Sequence, residues 1–224
     1  MQRERHGTLF IDNERRLGMY LRGLWQSEAL FVPYSLAFDE IRKPVPYLND
    51  LGLHLPDVYD DFIVPSHARG RGARGEGERD GVVRGIDRYR ALLAHLSAHR
   101  RWTSNLIADN LSPFQRMAVE TFEDSRVEYL AMQEFPGLRQ LWCKLHPVPQ
   151  EDIEQVAGVS YIRHRLAMLS RALLDPHHRY QNPVILKYVA RFHEVMAKGN
   201  TRTFDIQLLG VQFIAETKVA SDSA

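Results

Sequence analysis

From Val82 to about Thr217, apolar residues recur at three- and four-residue spacing in blocks, several of them cut off by a residue pair that breaks a helix. This rhythm constrains the fold more than any other feature, because each block can bury only one stripe and must find a neighbouring helix to bury it against. The first block, about Val82 to Thr103, carries Ile86, Tyr89, Leu92, Leu93 and Leu96 on one side. The second begins at Ser112, with Pro113 at the first helical position and Gln115 at the third, the arrangement of a capping box. Its expected end is Pro136-Gly137. Three more helices are predicted near Glu151–Leu174, Val184–Lys198 and Thr203–Thr217, separated by Asp175-Pro176 and Gly199-Asn200.

The first eighty residues read differently. Leu17, Tyr20, Leu21, Leu24 and Trp25 predict an amphipathic helix over about Asn13 to Leu30, weakened by Gly18 and Gly23. Pro33, Pro44, Pro46 and Pro56 then break helices, and Leu51, Leu53 and Leu55 alternate with Gly52 and His54 as in a short strand or hairpin. Between Arg69 and Gly81 the run RGRGARGEGERDG has nothing to contribute to a core and reads as a flexible surface loop. The expected fold is therefore mainly α, a single helical domain spanning 1–224 with about six helices and one short strand or hairpin.

Charge and composition narrow the partners. With 29 basic and 28 acidic residues the chain has no global field to hold a polyanion, and in the Arg-Gly run Glu76, Glu78 and Asp80 nearly cancel the arginines, so nucleic acid is disfavoured. Cys143 is the sole cysteine, which excludes an internal disulfide and a multi-cysteine zinc cluster and fits a reducing, cytoplasmic setting. No stretch approaches the roughly 20 apolar residues of a membrane span, and Met1 to Gly7 lacks the apolar core of a signal peptide, so no membrane insertion is expected.

One constellation could carry chemistry. His95 and His99 stand four apart in HLSAH, one helical turn apart on one face, the ligand spacing of the zinc-protease motif H-E-x-x-H. Downstream, Glu120, Asp124 and Glu128 form an acidic stripe, and Glu120 with Asp124 matches the spacing of a carboxylate ligand and its outer partner in such proteases. Leu96, however, occupies the place of the glutamate that deprotonates metal-bound water, so hydrolysis by that route has no general base. His95, His99 and Glu120 are thus candidate ligands of a structural or vestigial metal at most. The favoured reading has the stripe pairing with Arg100 and Arg101 across packed helices. Cys143 has no base nearby in sequence and reads as a small apolar residue, and His177-His178 as a solvated turn. No phosphate-binding glycine loop is present, since Gly70, Gly72, Gly75 and Gly77 lack the Gly-Lys-Ser/Thr ending, and no serine nucleophile elbow occurs. No catalytic residue and no cofactor is assigned.

The segment from Asp109 to Pro147 resembles the CbbO/NorD proteins. The resemblance rests on a Glu-Asp-x-Arg-x-Glu core, Glu123, Asp124, Arg126 and Glu128, followed by Pro-Gly-Leu-Arg, Pro136 to Arg139. The upstream run His95 to Trp102 and the Leu-Pro-Asp-Val-Tyr-Asp run, Leu55 to Asp60, are also similar to that family. The similarity is continuous from about Leu17 to Pro147 and fainter beyond. It implies an accessory protein, not itself the ATPase, that bridges a hexameric MoxR-type AAA+ ATPase to a target enzyme. In the CbbO branch the target is Rubisco, and in the NorD branch nitric oxide reductase. The Leu55–Asp60 run and Pro33 to Ser35 favour the Rubisco branch. The family's von Willebrand A domain holds a divalent cation with an Asp-x-Ser-x-Ser motif that this sequence lacks, so the chain is expected to correspond to the N-terminal, ATPase-facing portion.

Overall fold

A computed structural model describes residues 7–35, 45–63, 81–105, 109–151 and 160–222, with side chains to 217. The Arg-Gly run, apart from Gly81, lies outside the described residues, as does most of the first turn or two of the helix expected from Glu151. The chain divides into two compact units, Met1–Arg100 and Arg101–Ala224.

The first unit opens with β1 (Thr8–Leu9) and α1 (Phe10–Trp25), which buries Phe10, Leu17, Leu21 and Trp25 along one stripe. The expected extension to Leu30 fails because Gln26 turns into the left-handed region (φ 49°) and its N–H caps the Arg22 carbonyl, and the chain then enters β2 (Phe31–Tyr34). Gly18 is tolerated where the helix passes Phe31. The expected hairpin is β3 (Tyr47–Asn49) with β4 (Gly52–Pro56), antiparallel, and β2 adds to β4 in parallel to give the order β2-β4-β3. Gly52 makes the hairpin possible: its φ is +139°, and a Cβ there would sit 2.2 Å from the Leu30 carbonyl oxygen. Leu53 and Leu55 are buried as the alternation requires, whereas Leu51 is exposed in the turn. Two short antiparallel pairs complete the β structure: β1 with β5 (Val58–Tyr59), and β6 (Phe62–Ile63) with β7 (Val82–Val83).

Helix α2 (Gly85–Trp102) starts on the Asp61 carboxylate, which accepts from the Gly85 N–H at 2.9 Å. Tyr89 is its anchor. The fully buried ring meets Phe10 and Tyr59 edge-on at 5.9 and 4.7 Å, and its hydroxyl donates to the Pro56 carbonyl at 2.8 Å.

Among the described residues every regular element that begins in the second unit is a helix: α3 (Pro113–Glu134), α4 (Gly137–Leu145), α5 (Tyr161–Leu174), α6 (Pro183–Ala197) and α7 (Thr203–Asp222). The Ser112 capping box forms on both sides, with Gln115 N–H donating to the serine hydroxyl and Ser112 N–H to the glutamine side chain. Asn182 caps α6 by accepting from Val184 and Ile185, with Pro183 at the first helical position. Pro136-Gly137 ends α3 but not the helical run: α4 starts at once and buries Leu138 and Trp142, making seven helices among the described residues where about six are expected. At the core, Phe122 of α3 lies 6.3 Å from each of Tyr188, Phe192 and Phe213, which tie α6 and α7 to it. No helix among the described residues is long and apolar enough to cross a membrane.

Helices α3 and α7 meet at Gly210. A Cβ on Gly210 would lie 2.8 Å from the Val119 backbone nitrogen and 2.9 Å from its Cα, so even a methyl group forces the helices apart. Alanine is worth about 1 kcal/mol over glycine in a helix interior, and overpacking costs about 1–3 kcal/mol. Gly210→Ala is expected to lower the free energy of unfolding measured in urea, and Gly210→Val to lower it further. An alanine variant more stable than the parent would show that the helices part freely there.

Candidate functional site

The sequence motifs fall at two places, each of which can be built up from its helix. On α2 the four-residue spacing brings the two histidines together: the Nε2 atoms of His95 and His99 are 3.1 Å apart, with ring centroids at 4.6 Å and ring planes at 70°. Both rings are half-buried, beside a helix side packed into the core by Leu93, Ala94, Leu96 and Ala98. Leu96 is 7% exposed, so the position that holds the general base in the zinc proteases is a packing position here. Glu120 is exposed on α3, in the second unit, and Asp124 and Glu128 are half-buried on the same helix. Of the two arginines expected to pair with that stripe, Arg101 places its guanidinium 2.7 Å from the Glu134 carboxylate, further along α3.

The second place is the buried face of α3. Arg126 is 1% exposed and Glu123 6%, and they pair in a fork: Nε donates to Oε2 at 2.8 Å and Nη2 to Oε1 at 2.7 Å. The guanidinium also reaches backbone carbonyls, and its Nη2 lies 3.3 Å from the Thr203 hydroxyl. Nη1 donates to the Thr201 carbonyl and Nη2 to that of Trp102, both at 2.7 Å. Glu123 Oε1 accepts in addition from the hydroxyls of Thr103 at 2.6 Å and Thr203 at 3.0 Å, and Thr203 Oγ1 in turn accepts from the Ser104 N–H at 2.9 Å. Within the second unit this cluster joins Trp102 to Ser104, the middle of α3 and the start of α7. Burial alone would raise the Glu123 carboxyl, but the hydrogen bonds from Arg126 and Thr103, the Arg126 charge and the Thr203 hydroxyl together hold it below the usual glutamate range.

The Pro-Gly-Leu-Arg segment has a similar structural use. Arg139 Nη1 donates to the Leu174 carbonyl at 2.7 Å and so caps the C-terminus of α5 with a cation, while Arg171 donates to the Cys143 carbonyl at 2.7 Å and to Asp175 at 2.6 Å. Cys143 is half-buried, and burial pushes its thiol up, away from the reactive thiolate, against the opposing charges of Arg171 and Arg139.

A pair that the sequence did not signal is His146 with Ser170, whose Oγ lies 2.9 Å from Nε2. Burial lowers the His146 pKa despite the opposing charge of Glu128, which suits a neutral imidazole. Ser170 stands within α5, where neighbouring backbone N–H groups serve the helix and are not free to stabilise an oxyanion. The contact therefore reads as a tie between α4 and α5. His177 is exposed as expected for a solvated turn, but His178 is half-buried and stacks on Tyr180 at 5.6 Å. In the first unit an open cleft of about 510 Å³ lies beside α1, lined by charges of both signs, Glu14, Arg15, Arg22 and Glu28, with Ile11 and Phe31.

No protein family, no curated protein and no solved structure matches the chain.

The depressed Glu123 pKa carries a sign. The folded value lies below the unfolded one, near 4.5, so the stabilisation is present in full above that pH and is lost as pH falls through the folded value. Unfolding free energy measured from about pH 6 down to about pH 3 is expected to decline with acidification, and Glu123→Gln should flatten part of that decline. An unchanged profile in the glutamine variant would place the acid sensitivity elsewhere.

Proposed function

We propose that the chain is an adaptor module that docks onto a hexameric MoxR-type AAA+ ATPase and passes ATP-driven motion to a target enzyme, Rubisco in preference to nitric oxide reductase. The observation that carries this reading is where the family-like residues sit. Glu123 and Arg126 of the Glu-Asp-x-Arg-x-Glu core are spent on the buried cluster that fastens three chain segments together, and Arg139 of the Pro-Gly-Leu-Arg segment is spent on the end of α5. Residues used in this way stiffen a scaffold. A module that transmits force has to move as one body, and buried charge-assisted hydrogen bonds between distant segments favour a single arrangement over sliding alternatives.

The open cleft beside α1 also suits a protein partner better than a small anionic ligand, because its charges are mixed in sign and it has little enclosure.

The test is direct association. The purified chain, tagged and immobilised, should retain a purified hexameric MoxR-type ATPase from the same organism when ATP or a non-hydrolysable analogue is present, and should change that ATPase's turnover. Retention under no nucleotide condition would contradict the reading. Adding the ATPase and chain to Rubisco blocked by an inhibitory sugar phosphate, or to inactive nitric oxide reductase, then separates the two branches by which enzyme regains activity.

A further inference from the structure

The geometry points to a divalent transition-metal site on α2 in which the Nε2 atoms of His95 and His99 chelate a zinc ion. The inference is independent of the adaptor reading. Two zinc–nitrogen bonds of about 2.0–2.1 Å at a tetrahedral angle place their nitrogens about 3.3 Å apart. In this protein the separation is 3.1 Å, so an ion can be taken up with a shift of a few tenths of an ångström and no change of rotamer. The two rings stand edge to face, at 70°, with the same nitrogen of each on the facing side. In the absence of an ion the same approach is satisfied by one imidazole donating Nε2–H to the other; zinc binding moves that ring's proton to Nδ1, so that both rings ligate as neutral imidazoles through Nε2.

The surroundings favour retention of the ion. The backbone of α2 is fixed by buried Leu93, Leu96 and Ala98 around the pair, which lowers the entropy lost on chelation. Arg100 is exposed and, one residue past His99, projects from another side of the helix, while the Arg101 charge is met by Glu134 at 2.7 Å. Imidazole selects zinc, copper or nickel over magnesium and calcium, which prefer oxygen ligands. Two coordination positions remain for water or carboxylate. With leucine at position 96 the ion has no adjacent base, so its work is to brace one turn of α2 rather than to hydrolyse a bond.

The experiment uses the full chain stripped of metal with a chelator. Calorimetric titration with zinc chloride is expected to give about one ion per chain, a bound cobalt(II) probe to show visible ligand-field bands that zinc abolishes, and magnesium to leave both signals unchanged. His95→Gln and His99→Gln should each lose the bound ion while keeping the parent's helical circular dichroism. Wild-type protein that takes up no zinc, or glutamine variants that bind it with parental affinity, would overturn the assignment. Should a variant fail to fold, the long-range imidazole nitrogen spectrum of the parent decides the matter: zinc must move the Nε2 resonances of His95 and His99, and movement confined to others of the ten histidines refutes the site.

Discussion

A guanidinium removed from water must find every hydrogen-bond partner inside the protein, and the second unit is organised around meeting that demand at Arg126. Its charge is matched by the Glu123 carboxylate, three residues away on the same helix, which makes the ion pair local and inexpensive to bring together. The donors that the carboxylate cannot use reach carbonyls 24 and 75 residues away in sequence, at Trp102 and Thr201. A local pair thereby becomes a long-range clasp. Removing either partner leaves a buried charge without compensation, a loss of about 3–5 kcal/mol, comparable with the whole stability margin of many domains.

The apolar core is built to the same plan. Phe122, one residue before Glu123, points into the aromatic cluster of α6 and α7, so the neighbouring positions of α3 serve the polar clasp and the core. Gly210 lets α7 come close enough for both to close, since a side chain there would press on the Val119 backbone. Clasp, aromatic cluster and close helix contact depend on one another through the spacing of α3 and α7.

How much of this was legible beforehand follows from which forces are local. The capping box at Ser112, the breakers at Asp175-Pro176 and Gly199-Asn200, and the closeness of His95 to His99 are all set within four residues, and each is where spacing put it. The extra helix α4 was hidden because Pro-Gly is read as a stop, whereas Pro136 merely interrupts the hydrogen-bond ladder and the amphipathic run from Leu138 to Trp142 resumes it. The early end of α1 turns on a left-handed glutamine, for which the sequence offers no sign. Arg126 was visible as part of a family-like motif but not as a buried residue, because arginine is rarely buried and its partners near Thr201 are remote in sequence. Glu120, proposed from spacing as a ligand, is exposed on its helix, and the structural weight on α3 falls instead on Glu123.

The claim on which the account rests is that Glu123 and Arg126 act as one unit whose worth lies in mutual compensation. A double-mutant cycle with Arg126→Met, Glu123→Met and the double variant, followed by urea unfolding at neutral pH, tests it most directly. The double variant is expected to be at least as stable as either single variant, giving a coupling of about 3 kcal/mol or more. Losses that add to within about 0.5 kcal/mol would contradict it and reduce the clasp to two independent contacts.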